Sequence, residues 1–153
     1  NDRRWIIHTR TEERPPARFS WGAQLIDSMI SDGCVIESGA VIERSILSPG
    51  VRVQTGAVVR ESILLTDTIV GPEACLEQVI TDKKVLIQRG ARLGELRSQP
   101  LIPAIGKHAV IPAGMVVEPG ALIGPDVIET DYPDSRLVRS SDYIQTKRMP
   151  YEV

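Results

Sequence analysis

The side chains that could carry chemistry in this chain are few and lie far apart. His108, in the stretch IGKHAV, is one of two histidines. A histidine so placed could act as the general base of an acyltransferase toward a hydroxyl or an amine. It could equally be an exposed histidine at a turn, because the equivalent position holds Gly114 and Gly120 in the segments that follow. With His8 as the other histidine, a three-histidine zinc site cannot be assembled, and we predict no metal ligands and no catalytic residues in this chain.

The stretch RGARLG (Arg89–Gly94) looks like a glycine loop that cradles phosphate. Such a loop requires a strand before it and a helix after it. Ala91 and Leu93 instead fall into the apolar columns of a repeat, described below. We therefore predict a backbone corner here.

The cysteines and the charge exclude several classes of protein. Cys34 and Cys75 show no C-x-x-C spacing, so they predict neither a disulfide framework nor zinc and fit a reducing cytoplasm. The net charge of -2 argues against a general nucleic-acid binder. No apolar run approaches the roughly 20 residues of a membrane span. We expect a cytoplasmic protein with no nucleic-acid or membrane partner and no cofactor in this chain.

The elements that position these residues follow from a repeat. The stretch ESGAVIERSI (37–46) returns seventeen residues later as QTGAVVRESI (54–63). Further copies, GPEACLEQVI (71–80) and QRGARLGELR (88–97), continue the spacing. Four columns follow, one of alanines and three of aliphatic residues. They are Ala40, Ala57, Ala74 and Ala91; Ile36, Val53, Val70 and Ile87; Ile42, Val59, Leu76 and Leu93; and Ile46, Ile63 and Ile80.

The spacing inside each copy predicts the fold. Aliphatic residues fall six apart and then five apart, as in Ile30, Ile36, Ile42 and Leu47, which indicates three short strands per turn. Glycines such as Gly39 precede the small corner residues, where a sharp corner favours a positive φ. The pattern predicts an all-β, parallel β-helix of hexapeptide type with about 17–18 residues per turn.

Three segments are expected along the chain. Residues 1–18, with RPPAR, form an extended arm, and the chain's opening suggests a domain cut from a longer protein. Residues 19–127 form the β-helix, with an ejected loop near 95–104 before the hexads resume at Ile105. Residues 128–153 lose the pattern and are expected to form a cap with a short strand or helix.

The basic residues outside the columns permit two interpretations. Asp82-Lys83-Lys84, Arg52 and the tail arginines can keep the surface of a solenoid soluble. Alternatively, arginines and lysines that converge from coil and tail would suit a phosphorylated small ligand.

At RPPARF (Arg14–Phe19), ISDGCVIESGAVIERSILSPGVRVQTGAVV and VITDKKVLIQRG, the sequence resembles the C-terminal domain of bacterial glucose-1-phosphate adenylyltransferases. The resemblance covers residues 1 to 95 well and the rest loosely. It implies a left-handed β-helix behind an N-terminal nucleotidyltransferase domain, which makes ADP-glucose and pyrophosphate from ATP and glucose 1-phosphate, with magnesium, for glycogen synthesis. It also implies a homotetramer regulated by phosphorylated effectors, and a fragment without catalysis of its own.

Carried over residue by residue, Lys83 matches the basic residue that faces the effector phosphate in this family. Arg136, Arg139 and Arg148 are the candidates for its tail arginines. Two other functions are compatible with the repeat, a hexapeptide acyltransferase and a purely structural solenoid.

Overall fold

Three parallel sheets form the walls of a left-handed β-helix with about seven turns. The computed structural model describes residues 13–99 and 101–148. Each of the first six turns contributes one short strand to each sheet in the order A, B, C, and the last turn contributes strands to sheets B and C, so each strand pairs with its equivalents in the neighbouring turns. The predicted fold class is confirmed.

The strands are two or three residues long. Sheet A contains β1 (Arg18–Phe19), β4 (Val35–Ile36), β7 (Arg52–Val53), β10 (Ile69–Val70), β13 (Leu86–Ile87) and β16 (Val110–Ile111). Sheet B contains β2 (Gln24–Ile26), β5 (Val41–Glu43), β8 (Val58–Arg60), β11 (Cys75–Glu77), β14 (Arg92–Gly94), β17 (Val116–Val117) and β19 (Leu137–Val138). Sheet C contains β3 (Met29–Ile30), β6 (Ile46–Leu47), β9 (Ile63–Leu64), β12 (Ile80–Thr81), β15 (Ala104–Ile105), β18 (Leu122–Ile123) and β20 (Tyr143–Ile144).

The core is a narrow column of side chains stacked inside the coil. Successive residues of a strand point to opposite faces, so each short strand sends one side chain inward. The predicted alanine column and two of the aliphatic columns are buried in all their members. The alanines stand beside the corner between sheets A and B, and the turn after Ala91 holds Met115, also buried, at the same position.

The fourth column faces outward. Ile46, Ile63 and Ile80 are between 37% and 42% exposed. Their neighbours Leu47 and Leu64 fill the interior of sheet C instead. The repeat identified this column but did not show which side of the sheet it occupies, because Ile46 and Ile63 are each followed by another apolar residue in the same strand.

Glycine occupies the corner position in most turns between sheets A and B and in the first two turns between sheets C and A, but among the described turns between sheets B and C only at Gly120. Gly33 and Gly50 have φ of +73° and +77°, as the sequence predicted. At the corner between sheets B and C, however, Arg44 and Glu61 adopt φ of 44° and 47°. A ladder of serines one turn apart supports this corner, with each hydroxyl accepting the amide of the residue one turn on. Its members are Ser28 to Ser45 (3.1 Å), Ser45 to Ser62 (3.1 Å) and Ser62 to Val79 (3.0 Å).

The later turns are longer than the first four. Ile63 pairs with Ile80, seventeen positions on, whereas Ile80 pairs with Ala104, twenty-four positions on. The additional residues form the loop between β14 and β15. The amide and carbonyl of Arg97 bind the Gln78 side chain at 3.0 and 2.9 Å and fasten this loop to the coil.

Beyond residue 127, two strands and a 3-10 helix follow the regular hexads. The helix, Glu129–Asp131, takes the place of a sheet A strand, and β19 and β20 extend the other two sheets. Burial would raise the pKa of the Asp131 carboxyl, but hydrogen bonds from the amides of Ile128 and Lys147 outweigh burial and lower it. Among the residues described, no helix is long and apolar enough to cross a membrane.

Candidate phosphate-binding site

The corner that links each sheet C strand to the next sheet A strand collects basic side chains. We call its residues 66–67, 83–84, 107–108 and 125–126 the basic corner. A backbone ladder stacks them: Lys84 donates to the Thr66 carbonyl at 2.8 Å, His108 donates to Lys83 at 3.0 Å, and Asp126 donates to Lys107 at 2.8 Å. Neighbouring turns are about 4.8 Å apart, so the charges of successive turns lie side by side.

The lysines of the basic corner have no ion-pair partner within the described part of the chain. Lys83, Lys84 and Lys107 are all exposed, and no carboxylate there lies within salt-bridge distance of them. The Asp82 carboxylate is engaged by the Lys83 backbone amide at 2.7 Å. The ammonium groups of two successive turns are therefore available to an anion from solvent.

His108 completes this corner on the second turn. Its backbone φ of +59° confirms that it occupies a corner position, as Lys84 and Asp126 do with φ of +57° in the turns before and after it. Its Nδ1 lies 3.2 Å from Oδ1 of Asp126, and its side chain is 42% exposed. This contact orients the imidazole beside Lys107. A protonated imidazole at this place would be a further cationic donor.

The arm is fastened to the same corner one turn earlier. Arg14 Nη1 and Nη2 donate to the two oxygens of Asp67 at 2.6 and 3.2 Å. The hydrogen bond from Arg14 lowers the pKa of the Asp67 carboxyl, and the charges of Lys84 and Arg52 lower it further. Asp67 is thereby paired mainly with Arg14, and Lys84 one turn above interacts with it more weakly.

The four predicted site residues fall on three different corners. Lys83 lies on the basic corner, and Arg148 reaches it by donating from Nη2 to the Asp126 carbonyl. Arg136 lies between sheets A and B, bonded to the Ala113 carbonyl and 3.6 Å from Glu129. Arg139 follows β19 at the corner between sheets B and C, where its amide binds Asp142 at 2.8 Å. Within one chain, the structure brings Lys83 and Arg148 to one corner and keeps Arg136 and Arg139 apart from them.

Sequence reasoning overlooked Lys107. The signal was present, because TDKKVLI and IGKHAVI align once the ejected loop is discounted. This alignment places Lys107 above Lys83 and His108 above Lys84, as the backbone ladder does. The sequence analysis considered His108 only as a base and did not connect it with Lys83.

The corner between sheets B and C has the opposite chemistry. We call its residues 43–45, 60–62 and 77–79 the paired corner. Arg44 binds Glu61 at 2.8 Å, and Arg60 binds Glu77 at 3.0 Å. The hydrogen bond with Glu77 raises the pKa of Arg60, and hydrogen bonds from Gln78 and Arg44 lower that of Glu61. The charges of this corner satisfy one another and leave no unpaired cation for a ligand.

The other candidate residues take structural places. Ala91 and Leu93 are buried and Arg92–Gly94 is a strand, so RGARLG is a corner followed by β14. Cys34 is buried in the core, and its Sγ donates to the Ser48 carbonyl at 3.3 Å. Burial raises the pKa of both the Cys34 and Cys75 thiols, which keeps them protonated near neutral pH. Within the described ranges, no group of three His, Cys, Asp or Glu side chains could hold a metal ion.

Comparison with known proteins identifies relatives for this architecture. Residues 15–99 match the family described as GlmU-like, C-terminal hexapeptide. A glucose-1-phosphate adenylyltransferase of Thermomicrobium roseum is 46% identical over 143 residues, which cover 86% of this chain and 33% of that protein. Another, of Pseudothermotoga lettingae, is 33% identical over 154 residues, covering 95% of this chain and 36% of that protein. The chain spans about a third of the length of these relatives.

A solved structure resembles the coil without close sequence similarity. The structure of a presumed acetyltransferase of Desulfovibrio desulfuricans aligns with a TM-score of 0.54 at 19% identity, covering 88% of this chain and 27% of that one. At this level of identity the likeness concerns the fold alone.

Proposed function

Because the chain belongs to the GlmU-like C-terminal hexapeptide family and resembles part of glucose-1-phosphate adenylyltransferases, we propose that it is the regulatory and assembly domain of such an enzyme. The parent reaction would convert ATP and glucose 1-phosphate to ADP-glucose and pyrophosphate, a step of glycogen synthesis. The chain itself would bind an effector and would not catalyse the reaction.

The observation that carries this proposal is the stack of uncompensated cations on the basic corner. A phosphorylated effector would place its phosphate against Lys83 and Lys107, with Lys84 and His108 beside them. Each charge-assisted hydrogen bond to phosphate contributes about 1.5–3 kcal/mol. Two turns of the coil would thus share one phosphate, and a bisphosphate or a nucleotide phosphate chain could extend along the ladder toward Arg148.

The chemistry of the parent reaction would take place outside this chain. Nucleotidyl transfer with Mg²⁺ needs carboxylates that hold the ion near the phosphates. The described residues do not fit this requirement, since they offer no cluster of metal-binding carboxylates. We therefore derive no catalytic step from this coil and assign the magnesium to an N-terminal nucleotidyltransferase domain.

The proposed partners follow from the same assignment. They are the N-terminal nucleotidyltransferase domain, further copies of the chain in a homotetramer, and the phosphorylated effector, in the cytoplasm. The arm supports the link to the first partner, because Arg14 fastens the segment leading into the coil to Asp67, next to Lys84. An anion bound on the basic corner would lie near Lys84 and would change the electrostatic environment of the Arg14–Asp67 contact.

The test compares the 153-residue chain with a complete adenylyltransferase that contains it. Pyrophosphate release from ATP and glucose 1-phosphate is measured for both at equal molar concentration. We expect release from the complete enzyme and none above background from the chain alone. Release by the purified chain would contradict the assignment of catalysis to another domain, and an inactive complete protein would contradict the parent activity.

A further inference from the structure

Two hydroxyl groups lie inside the coil directly behind the basic corner. Thr68 and Thr81 are both fully buried, and their Oγ1 atoms lie 3.3 Å apart. The Thr68 hydroxyl donates onward to the Asp82 carbonyl at 3.1 Å, so Thr81 is the donor in the bond between the two threonines. These bonds run from the core to the corner that carries Lys83. We call Thr68 and Thr81 the threonine pair.

The same interior positions are apolar in the neighbouring turns. Valine replaces the first threonine and leucine or isoleucine the second: Val51 and Leu64 one turn before, and Val85 and Ile105 one turn after. The other buried polar side chains of the described residues serve the paired corner, the ejected loop or the tail; they are Ser45, Ser62, Gln78 and Asp131. The threonine pair is thus confined to the turn whose corner carries Lys83.

The fold itself does not require the threonine pair. A buried hydroxyl is tolerated only when it is hydrogen-bonded, and replacing both bonded partners by apolar groups of similar shape leaves stability similar or higher. Val51 and Leu64 show that an apolar pair fills this part of the interior one turn earlier. A departure from the local pattern at a single turn is expected where a functional site has to be built.

The threonine pair acts on the peptide unit between Asp82 and Lys83. The carbonyl of this unit accepts the Thr68 hydroxyl, and its amide donates to Asp82 Oδ1 at 2.7 Å. Because a peptide unit is planar, holding its carbonyl and its amide fixes the orientation of the whole plane. The direction in which the Lys83 side chain leaves the backbone is fixed with it.

Elsewhere on this corner, backbone amides make the corresponding bond. The Val51 amide donates to the Ser48 carbonyl at 3.4 Å, and the Ala109 amide donates to the Gly106 carbonyl at 3.2 Å. At the turn of Lys83, a side chain that reaches out from the core binds the equivalent carbonyl. The backbone of this turn is therefore set by the interior as well as by its neighbours in the ladder.

We propose that Thr68 and Thr81 are positioning residues of the phosphate-binding site, which hold the corner so that Lys83 stands beside Lys107 of the next turn. This inference rests on the proposed function, because it concerns the same basic corner. The peptide unit after Lys83 is already held by the stack, since the His108 amide donates to the Lys83 carbonyl at 3.0 Å. With the peptide units on both sides held, Lys83 is preorganised for an anion that two turns share.

The first test is a double variant that copies the interior of the preceding turn. Thr68→Val with Thr81→Leu reproduces Val51 and Leu64 and removes both hydroxyls together, so neither is left unbonded. The free energy of unfolding in urea should equal or exceed that of wild type. The affinity for inorganic phosphate should fall by about three- to tenfold, because the Asp82–Lys83 peptide unit loses its inner partner. Affinity is measured by NMR at constant ionic strength, from the amide shifts of the basic corner in the 153-residue chain.

The conservative variant Thr68→Ser should give the opposite result. It keeps the hydroxyl and removes one buried methyl group, so the free energy of unfolding should decrease. The phosphate affinity should stay within about twofold of wild type, because the bond to Asp82 is retained. The two variants together show whether affinity follows the hydroxyl or the stability of the coil.

The matched control is Cys34→Val. Cys34 lies on the same interior column as Thr68, and its Sγ donates to the Ser48 carbonyl at 3.3 Å, which is the equivalent contact two turns earlier. The corner after Ser48 holds Pro49 and Gly50 in place of the lysines. Cys34→Val therefore removes a donor of the same kind away from Lys83 and should leave the phosphate affinity unchanged.

Three outcomes would overturn the positioning role. They are an unchanged phosphate affinity in the double variant, a loss of affinity in Thr68→Ser as large as in the double variant, and a double variant that fails to fold. Lys83→Ala, titrated alongside, separates this inference from the proposed function. Binding that is lost in Lys83→Ala and kept in the double variant contradicts the threonine pair alone, whereas a wild type whose basic corner does not respond to phosphate contradicts the site itself.

Discussion

The paired corner and the basic corner are built on the same coil and differ in how their charges are compensated. On the paired corner, Arg44 meets Glu61 and Arg60 meets Glu77 one turn away. On the basic corner, Lys83 is followed by Lys107 on the next turn, without a carboxylate partner among the residues described. The paired corner stabilises the coil, whereas the basic corner leaves charge for a ligand.

The difference shows what the repeat determines and what it leaves free. The interior columns fix which residues are buried, so that every turn has nearly the same backbone. The exposed positions are constrained only by their neighbours one turn away. Opposite charges one turn apart pair with each other, whereas like charges one turn apart remain available to a ligand.

A substitution in the interior that both corners share should have the largest effect on the stability of the fold. Ala57 is fully buried, with Ala40 and Ala74 at the equivalent positions one turn away. Ala57→Leu would overpack this narrow place and destabilise the fold by about 1–3 kcal/mol or more. The measurement is the free energy of unfolding in urea. Val58→Leu, at the outward-facing first residue of β8, is the control and should remain close to wild type. Equal stability of the two variants would show that the alanine column tolerates bulk.

The glycine corner beneath the arm, at Gly50, has more crowded surroundings than the glycine corner at Gly90. A Cβ at Gly50 would lie 1.9 Å from Arg14 Nη1 and 2.3 Å from Asp67 Oδ1, whereas a Cβ at Gly90 would meet nothing within 4 Å. Both glycines have positive φ, so alanine at either site costs roughly 1–2 kcal/mol of strain. Gly50→Ala should cost more than Gly90→Ala, because it also displaces the Arg14–Asp67 contact. Thermal unfolding of the two variants side by side tests this. Equal decreases in melting temperature would show that the Arg14–Asp67 contact contributes nothing to stability.

The Arg14–Asp67 contact should appear in the dependence of stability on pH. The folded-state pKa of Asp67 is lowered, so its contribution is present above the unfolded value of about 3.9 and is lost as the pH falls through the folded value. Asp67→Asn should therefore cost about 1 kcal/mol or less at pH 7, since both side chains are partly exposed, and nothing below the folded pKa. Urea unfolding of wild type and variant over a series of pH values from 7 downward tests this, and a difference in stability that does not shrink as the pH falls would contradict it.

The paired corner should give the smallest effect. Arg60 joins Glu43 and Glu77 through partly exposed ion pairs at 3.2 and 3.0 Å. Such pairs contribute about 0.2–1 kcal/mol each and are screened by salt. Arg60→Ala should lower the stability slightly at low ionic strength, and the loss should shrink in about 1 M salt. A loss that does not change with salt would indicate packing by the arginine stem.

The sequence predicted the coil well because the buried residues carry the repeat. A buried alanine or aliphatic residue at every equivalent position leaves few alternatives to stacked turns. The direction of Ile46 and its column was not predictable, because both residues of most sheet C strands are apolar and periodicity cannot say which one faces inward. The corner between sheets B and C was also hidden, since residues such as Arg44 and Glu61 adopt positive φ without glycine.

The site was less predictable than the fold because it depends on contacts across an irregular turn. Lys83 was identified by resemblance, and the twenty-four-residue turn separated it in sequence from Lys107. The tail arginines were chosen by charge alone, and the strand and corner that carry each one become visible only when β19 and β20 are placed. The role of Arg136 and Arg139 in phosphate binding consequently remains a prediction. Only another copy of the chain could bring these two residues to the basic corner.

The most direct test of the regulatory assignment is a titration of the complete adenylyltransferase with inorganic phosphate, a hexose bisphosphate and a nucleoside monophosphate. The half-saturating concentration of whichever probe alters activity is compared for wild type, Lys83→Ala and the control Arg92→Ala, which removes an exposed charge from sheet B. Loss of a charge-assisted contact of about 1.5–3 kcal/mol predicts at least a tenfold increase for Lys83→Ala and none for Arg92→Ala. Superimposed curves for all three proteins would contradict a phosphate site on the basic corner.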